Sequence, residues 1–171
     1  MKKRIYIGKY LLFGILLLAG GISWLVWHFS ADKRDEVKIR KVIYALAADL
    51  SKNNNESAAV ALLKVKNVVN VFTDPVELAM DQYAYGPYDH DRLLSSVGRY
   101  RALLEEAEIS VQDLQLEIIG DNQARGSFAG RFDGKTKSSM SEVIIKDVDI
   151  ELVKIKNSWK IRSMRFIGVL H

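Results

Sequence analysis

The chain contains no cysteine. A disulfide framework, a thiolate metal site and a lipid attached through an N-terminal cysteine are therefore excluded. The lack of thiols fits an oxidising compartment and is tolerated in any other. Proline is scarce, with two in 171 residues. No P-loop, dinucleotide fingerprint or nucleophile elbow occurs, and no histidine spacing suits a metal. No cofactor and no metal is expected. There is no internal repeat and no low-complexity tract.

Acidic residues are missing from the start of the chain. None precedes Asp32, whereas Lys2, Lys3, Arg4 and Lys9 give the tip four of the 25 basic residues. All 21 acidic residues follow, so the chain beyond the tip is neutral and the formal charge of +4 belongs to the tip. A nucleic-acid-binding domain would itself be basic. No nucleic-acid partner is expected.

What is present is one long apolar run. Residues 11–29, LLFGILLLAGGISWLVWHF, carry no formal charge. A helix of that length runs about 28 Å, close to the hydrocarbon thickness of a bilayer. Tyr6 and Tyr10 flank its near end, and Trp24, Trp27 and His28 its far end. Amphipathic rings favour the headgroup zone. Lys2, Lys3, Arg4, Tyr10, Trp24 and Trp27 are the expected membrane-anchoring residues. A cleaved secretory signal is the alternative, with Ala19-Gly20-Gly21 as its cleavage site. The apolar run continues past that site through Ile22, Leu25 and Val26, which favours an uncleaved anchor. Basic residues flank both ends of the run, but those beyond it are mixed with Asp32, Asp35 and Glu36. The short, wholly basic tip is expected inside the cell and the rest outside the cytoplasm. The expected location is a cell inner or plasma membrane. The expected organisation is a basic tip at 1–10, a membrane anchor at 11–29 and one domain at 32–171. The last is long enough for a core of its own.

Beyond the anchor, Ile39, Val42, Ile43, Leu46 and Leu50 recur at helical spacing and predict an amphipathic helix that ends near Lys52. A shorter helix is expected from Glu56, with Ala58, Ala59, Leu62 and Leu63 on its buried side. Thr73-Asp74-Pro75 reads as a turn, residues 76–83 as a short extended piece, and YGPYDH at 85–90 as a loop. A third helix follows Asp89 or His90, with Leu93, Leu94, Val97, Tyr100 and Leu104 on one face. Period-2 patterns then predict strands at 109–119, 123–132, 142–156 and 159–167. The apolar parity switches at Leu152–Val153 and again between Ile161 and Met164. A change of face within a strand suggests bulges in a strongly bent sheet. The expected class is α+β: a transmembrane helix, then three helices on a bent antiparallel four-stranded meander.

This order resembles the nuclear-transport-factor-2-like superfamily, which includes the ketosteroid isomerases. The likeness lies in the start IYALAADLSKNNNESAAVALL, in the closing hairpin KIKNSWKIRSMRF, and in the element order across about 32–166. The resemblance implies a sheet curled into a cone around the helices, often with a pocket at its open end and a dimer on its outer face. Laid on the isomerase pattern, Tyr44 falls near the helix tyrosine, Asp81 near the base and Glu151 near the late acid. A carboxyl group in an apolar cone has a raised pKa and moves protons near neutral pH. Against this, the spacing around Asp81 fits with a gap, and Ile150 and Leu152 turn Glu151 toward the other face.

Tyr83, Tyr85, Tyr88 and His90 cluster within eight residues. They suit the rim of a pocket for a small apolar ligand, or ordinary loop packing. After Glu151 come Lys154, Lys156, Lys160, Arg162 and Arg165 with no acid. That run suits anionic headgroups or an acidic partner, or a solvated sheet face. The expected function is a membrane-anchored, non-catalytic binding or scaffold domain of an envelope assembly. Its expected partners are the bilayer and either a second copy or another envelope protein. A layout of one span followed by this fold resembles the inner-membrane component of type IV secretion systems, although the Asn-Pro-x-Gly motif of that group is absent. A cone-pocket binder or isomerase-like enzyme is the alternative.

Overall fold

The structure is a computed structural model and describes residues 33–80, 84–138 and 140–167. The chain divides into two compact units, Met1–Val37 and Lys38–His171. Residues 11–29 and the six expected anchoring side chains lie outside the described residues. Among the described residues, no helix is long and apolar enough to cross a membrane. The second unit carries the sheet and its helices.

Helix α1 covers 33–50. Ile39, Ile43, Leu46 and Ala47 are buried, and Val42 and Leu50 pack against the core they join. The apolar stripe is the one that the spacing predicts. Helix α2, Ala58–Val71, is capped by Ser57, whose hydroxyl accepts from the Val60 N–H. Its buried residues are Val65, Val68 and Val69. Leu62 and Leu63 are 55% and 59% exposed, and Ala58 and Ala59 are exposed as well, so the expected burial is reversed. Apolar residues occur on every side of this helix. Its C-terminal half is drawn inward because the chain leaves it directly into buried Phe72.

Six strands follow or intervene: β1 Phe72–Met80, β2 Ala84–Tyr88, β3 Leu104–Ile119, β4 Gln123–Thr136, β5 Ser141–Ile155 and β6 Ser158–Ile167. Helix α3, His90–Leu103, stands between β2 and β3, and Asp89 caps it by accepting from the Arg92 N–H at 2.7 Å. The sheet order is β2-β1-β6-β5-β4-β3. All neighbours are antiparallel except β1 and β6, which are parallel. The sheet is thus mixed and six-stranded rather than a four-stranded meander. The expected turn at Thr73–Pro75 lies inside β1, and the expected YGPYDH loop supplies most of β2. Residues 76–80 of β1 fall in the expected extended piece at 76–83, but the start of β1 and all of β2 are not marked by their own sequence, because they form by pairing with a distant or hairpin partner. Proline offers no N–H to a ladder, and the β1–β6 register shifts between Phe72 and Glu77, around Pro75.

The parity switch between Ile161 and Met164 corresponds to a bulge; the one at Leu152–Val153 does not, because both residues pair in unbroken register with Ala124 and Gln123 and with Ile161 and Lys160. Glu151 pairs with Ser163 and Leu152 with Ile161, so Arg162 is the extra residue. A second bulge lies in β3, where the pairing shifts between Gln112 and Gln115 and Asp113 has φ 54°. These bends wrap one sheet face around the helices. That face supplies Val148, Ile150, Leu152, Trp159, Ile161 and Met164 to the core shared with α1, α2 and α3.

Helices α1, α2 and α3 are joined by one buried ionic cluster. The Arg101 guanidinium donates to the carbonyls of Asp49, Leu50 and Ser51, at 2.7–3.0 Å, and to the Glu56 carboxylate. Lys64 also pairs with Glu56, at 2.8 Å. The last carbonyls of α1 lack helical partners, and a cation there is favoured by the helix dipole. Arg101 occupies a position on the apolar side of α3, between Val97 and Leu104.

Candidate functional site

Alternation along β5 defines two faces. Val148, Ile150 and Leu152 are buried beneath the helices, while Asp147, Asp149 and Glu151 face the other way. Strand register extends this outer face across the sheet. One row runs Glu117–Arg125–Glu151–Ser163, and the next Gln115–Ser127–Asp149–Arg165. Arg162 donates to Glu151 at 2.7 Å, and Arg125 stands 3.9 Å from its other oxygen. The Arg162 hydrogen bond is the main reason the Glu151 carboxyl is held below the usual carboxylate range; burial opposes it only in part. Glu151 is therefore an ionised, paired acid. The two rows line a groove of about 480 Å³. Toward one edge of the same face, Val143 and Ile145 are largely exposed.

A second groove, of about 520 Å³, lies where the α1–α2 loop meets β3 and β4, with Lys52, Asn54, Glu106, Glu108, Asp133 and Lys135 on its walls. The loop is pinned there by reciprocal backbone bonds between Lys52 and Ala107, at 2.8 and 2.9 Å. A 3.0 Å pair with Glu105 raises the Lys135 pKa.

The cone interior is different in character. It is filled by aliphatic and aromatic side chains, with Ile39, Ile43, Val76, Ile150, Leu152 and Ile161 at its centre. Arg101 is buried as a whole residue, and it is committed to the Glu56 carboxylate, whose side chain is buried with it. No three His, Asp or Glu side chains among the described residues converge as a metal site would require.

The expected trio is not assembled from what is described. Tyr44 lies on α1 and is 48% exposed, so it is not a core residue. Glu151 is on the sheet face that α1 does not cover. Asp81 lies outside the described residues, as does Tyr83. The tyrosine cluster is divided by strand alternation. Tyr85 is 82% exposed on the outer side of β2, whereas Tyr88 is buried in the core with the Arg92 guanidinium 4.0 Å above its ring. His90 opens α3, with Nε2 3.4 Å from the Phe72 carbonyl and Nδ1 3.8 Å from the Asp74 carboxylate. Arg125 and Glu117 on the outer face are not singled out by the sequence. Their signal is the cross-strand register, which appears only when β3, β4 and β5 are aligned.

Solved structures share this architecture. A candidate dehydratase of the NTF2-like family from Streptomyces avermitilis superposes with a TM-score of 0.65 at 10% identity, covering 82% of this chain and 99% of that one. The fold is the nuclear-transport-factor-2-like one. A candidate scytalone dehydratase from Novosphingobium aromaticivorans gives 0.69 at 8% identity, over 82% and 88% of the two chains. The hexachlorocyclohexane dehydrochlorinase LinA-type3 from Novosphingobium barchaimii gives 0.64 at 12%, over 82% and 95%. No family model matches the sequence. No curated protein matches it either. At these identities the likeness is one of fold, and the NTF2-like cone is shared by proteins of differing activity.

Proposed function

We propose that this chain is a single-pass membrane protein whose NTF2-like domain, outside the cytoplasm, serves as a binding or scaffold subunit of an envelope assembly rather than as an enzyme. The observation that carries the reading is the filled cone. A pocket for chemistry needs concave space and a few convergent polar groups. Here the centre of the cone is occupied by packed aliphatic side chains. The outer sheet face is the surface left for a partner. Its Glu117–Arg125–Glu151–Arg162 alternation is self-complementary in sign, so a second copy related by a two-fold axis presents opposite charges to it. Val143 and Ile145 add exposed apolar area on the same face. The bilayer contact is the 11–29 segment.

Native mass spectrometry of the full chain released from detergent tests this. The expected result is a dimer without added mass, which Ile145→Glu converts to monomer. A retained molecule of small-ligand size on every protomer overturns the reading.

A second reading is a cone-pocket binder or isomerase-like enzyme. It is favoured by the dehydratase and dehydrochlorinase names among the solved structures. Loss of a bound ligand on Tyr44→Phe or Asp81→Asn would support it, and unchanged binding by both variants would remove the trio.

A further inference from the structure

We propose that the paired turns at one end of the sheet are a docking surface for anionic lipid headgroups. The proposal rests on the reading that residues 11–29 hold the chain at a bilayer. The β5–β6 turn has two consecutive positive φ angles, 48° at Lys156 and 66° at Asn157, the backbone of a tight hairpin turn. It lies against the β3–β4 turn, because the Lys154 N–H donates to the Asn122 carbonyl at 2.9 Å.

Together the two turns present apolar and cationic groups side by side. Ile119 and Ile155 are 38% and 45% exposed, and Lys156 is exposed beside Ile155. The Lys154 ammonium stands 5.6 Å from the Trp159 ring. Lys160 donates to the Asn70 carbonyl in the last turn of α2. One acid, Asp121, sits in the neighbouring turn. Arg162, the next cation along β6, is already committed to Glu151. Exposed isoleucine flanked by lysine is the pattern of a surface that enters the headgroup boundary: the apolar part is buried and the ammonium groups meet phosphate.

The turns also lie toward the Lys38 end of α1. The chain joins this unit at Lys38. Helix α1 runs antiparallel along β3: Lys52 pairs with Ala107, whereas Arg40 donates to the Leu114 carbonyl at 3.4 Å. The Lys38 end of α1 is therefore directed along β3 toward the turn at Gly120–Asn122. Few residues separate position 29 from Lys38, so the anchor supplies a high effective concentration of headgroups. Under that tether a weak attraction suffices. Each lysine near an anionic surface raises the ratio of bound to free hairpin about fivefold. A lipid surface is favoured over an acidic protein because the tether delivers the hairpin to lipid and because the two isoleucines match no charged partner.

The chain has no cysteine, so Ser158→Cys in the full-length protein gives one labelling site beside the turn. The labelled chain is placed in nanodiscs of phosphatidylcholine, or of phosphatidylcholine with about a third phosphatidylglycerol, each containing headgroup nitroxide lipid. The expected result is stronger fluorophore quenching in the anionic discs. It falls at high salt, and the bound-to-free ratio drops about fivefold in Lys156→Gln and further in Ile155→Ser/Lys156→Gln. Equal quenching in both discs overturns the proposal. Quenching in neither overturns it too, leaving the anchor intact and an acidic protein as the hairpin's counterpart. A chain that enters neither disc overturns the anchoring reading and this proposal with it.

Discussion

Replacing Arg101 with methionine should be among the most damaging single changes in the domain. Arg101 is 4% exposed and the Glu56 side chain 3%. The substitution keeps most of the side-chain volume but removes the guanidinium. The Asp49 and Leu50 carbonyls then lose the guanidinium donor, the Ser51 carbonyl keeps Lys64, and Glu56 is left with Lys64 alone. Breaking one side of a buried ion pair costs about 3–5 kcal/mol. At this chain length that lowers Tm by about 10 °C. The converse change, Glu56→Leu, leaves Arg101 buried without its carboxylate and should cost about as much. The double variant should cost less than the sum of the two, because two apolar groups tolerate one another. It should not regain the parent stability, since the Asp49 and Leu50 carbonyls still lack the guanidinium donor. Denaturant unfolding of all four proteins closes the cycle. Single-variant losses below about 1 kcal/mol, the range of an exposed pair, would refute the reasoning.

The same cluster gives a pH dependence. Burial alone would raise the Glu56 pKa, but Lys64 and Arg101 together hold it below the usual value. A carboxyl depressed in the folded state contributes stability that is present above its unfolded pKa, about 4.3. That contribution is lost as pH falls through the lowered folded value. Glu56→Gln should therefore be less stable than the parent at neutral pH, with the gap closing below about pH 4.

Two further substitutions test the packing. An added Cβ at Gly126 would lie 2.9 Å from Leu116 Cδ2 and 3.1 Å from Ile150 Cγ1, so Gly126→Ala should lower stability by about 1–3 kcal/mol, seen as a reduced denaturant midpoint. Leu63→Ser should move that midpoint little, within about 0.5 kcal/mol, because the side chain is exposed; a loss of several kcal/mol would show that α2 buries its N-terminal half after all.

Local periodicity alone makes α1 legible. Ile39, Ile43 and Leu46 recur at the period of a helix, and nothing distant is needed to place them on one face. The four long C-terminal strands are legible for the same reason, and so is the bend in β6. There the change of apolar parity inserts a residue, and Arg162 is that residue. Strands β1 and β2 are legible only in part: residues 76–80 fall within the extended piece expected at 76–83, whereas 72–75 and β2 read as turn and loop. β1 pairs with β6, nearly ninety positions away, and β2 with β1 alone, while a segment containing Thr73-Asp74-Pro75 carries turn chemistry rather than strand chemistry. The buried side of α2 is not legible either, because Ala58, Leu62, Val65 and Val69 are all apolar. Composition does not choose among apolar faces; the departure of the chain into Phe72 and the tie from Glu56 to Arg101 do. The division of the tyrosines follows from strand alternation, which applies to Tyr85 and Tyr88 only once β2 exists. What the sequence determined alone was whatever repeats within a few residues, together with the charge-free length of 11–29. What the tertiary structure decided was which surfaces meet: a filled cone, a charged outer face, and two turns brought side by side by strands far apart in the chain.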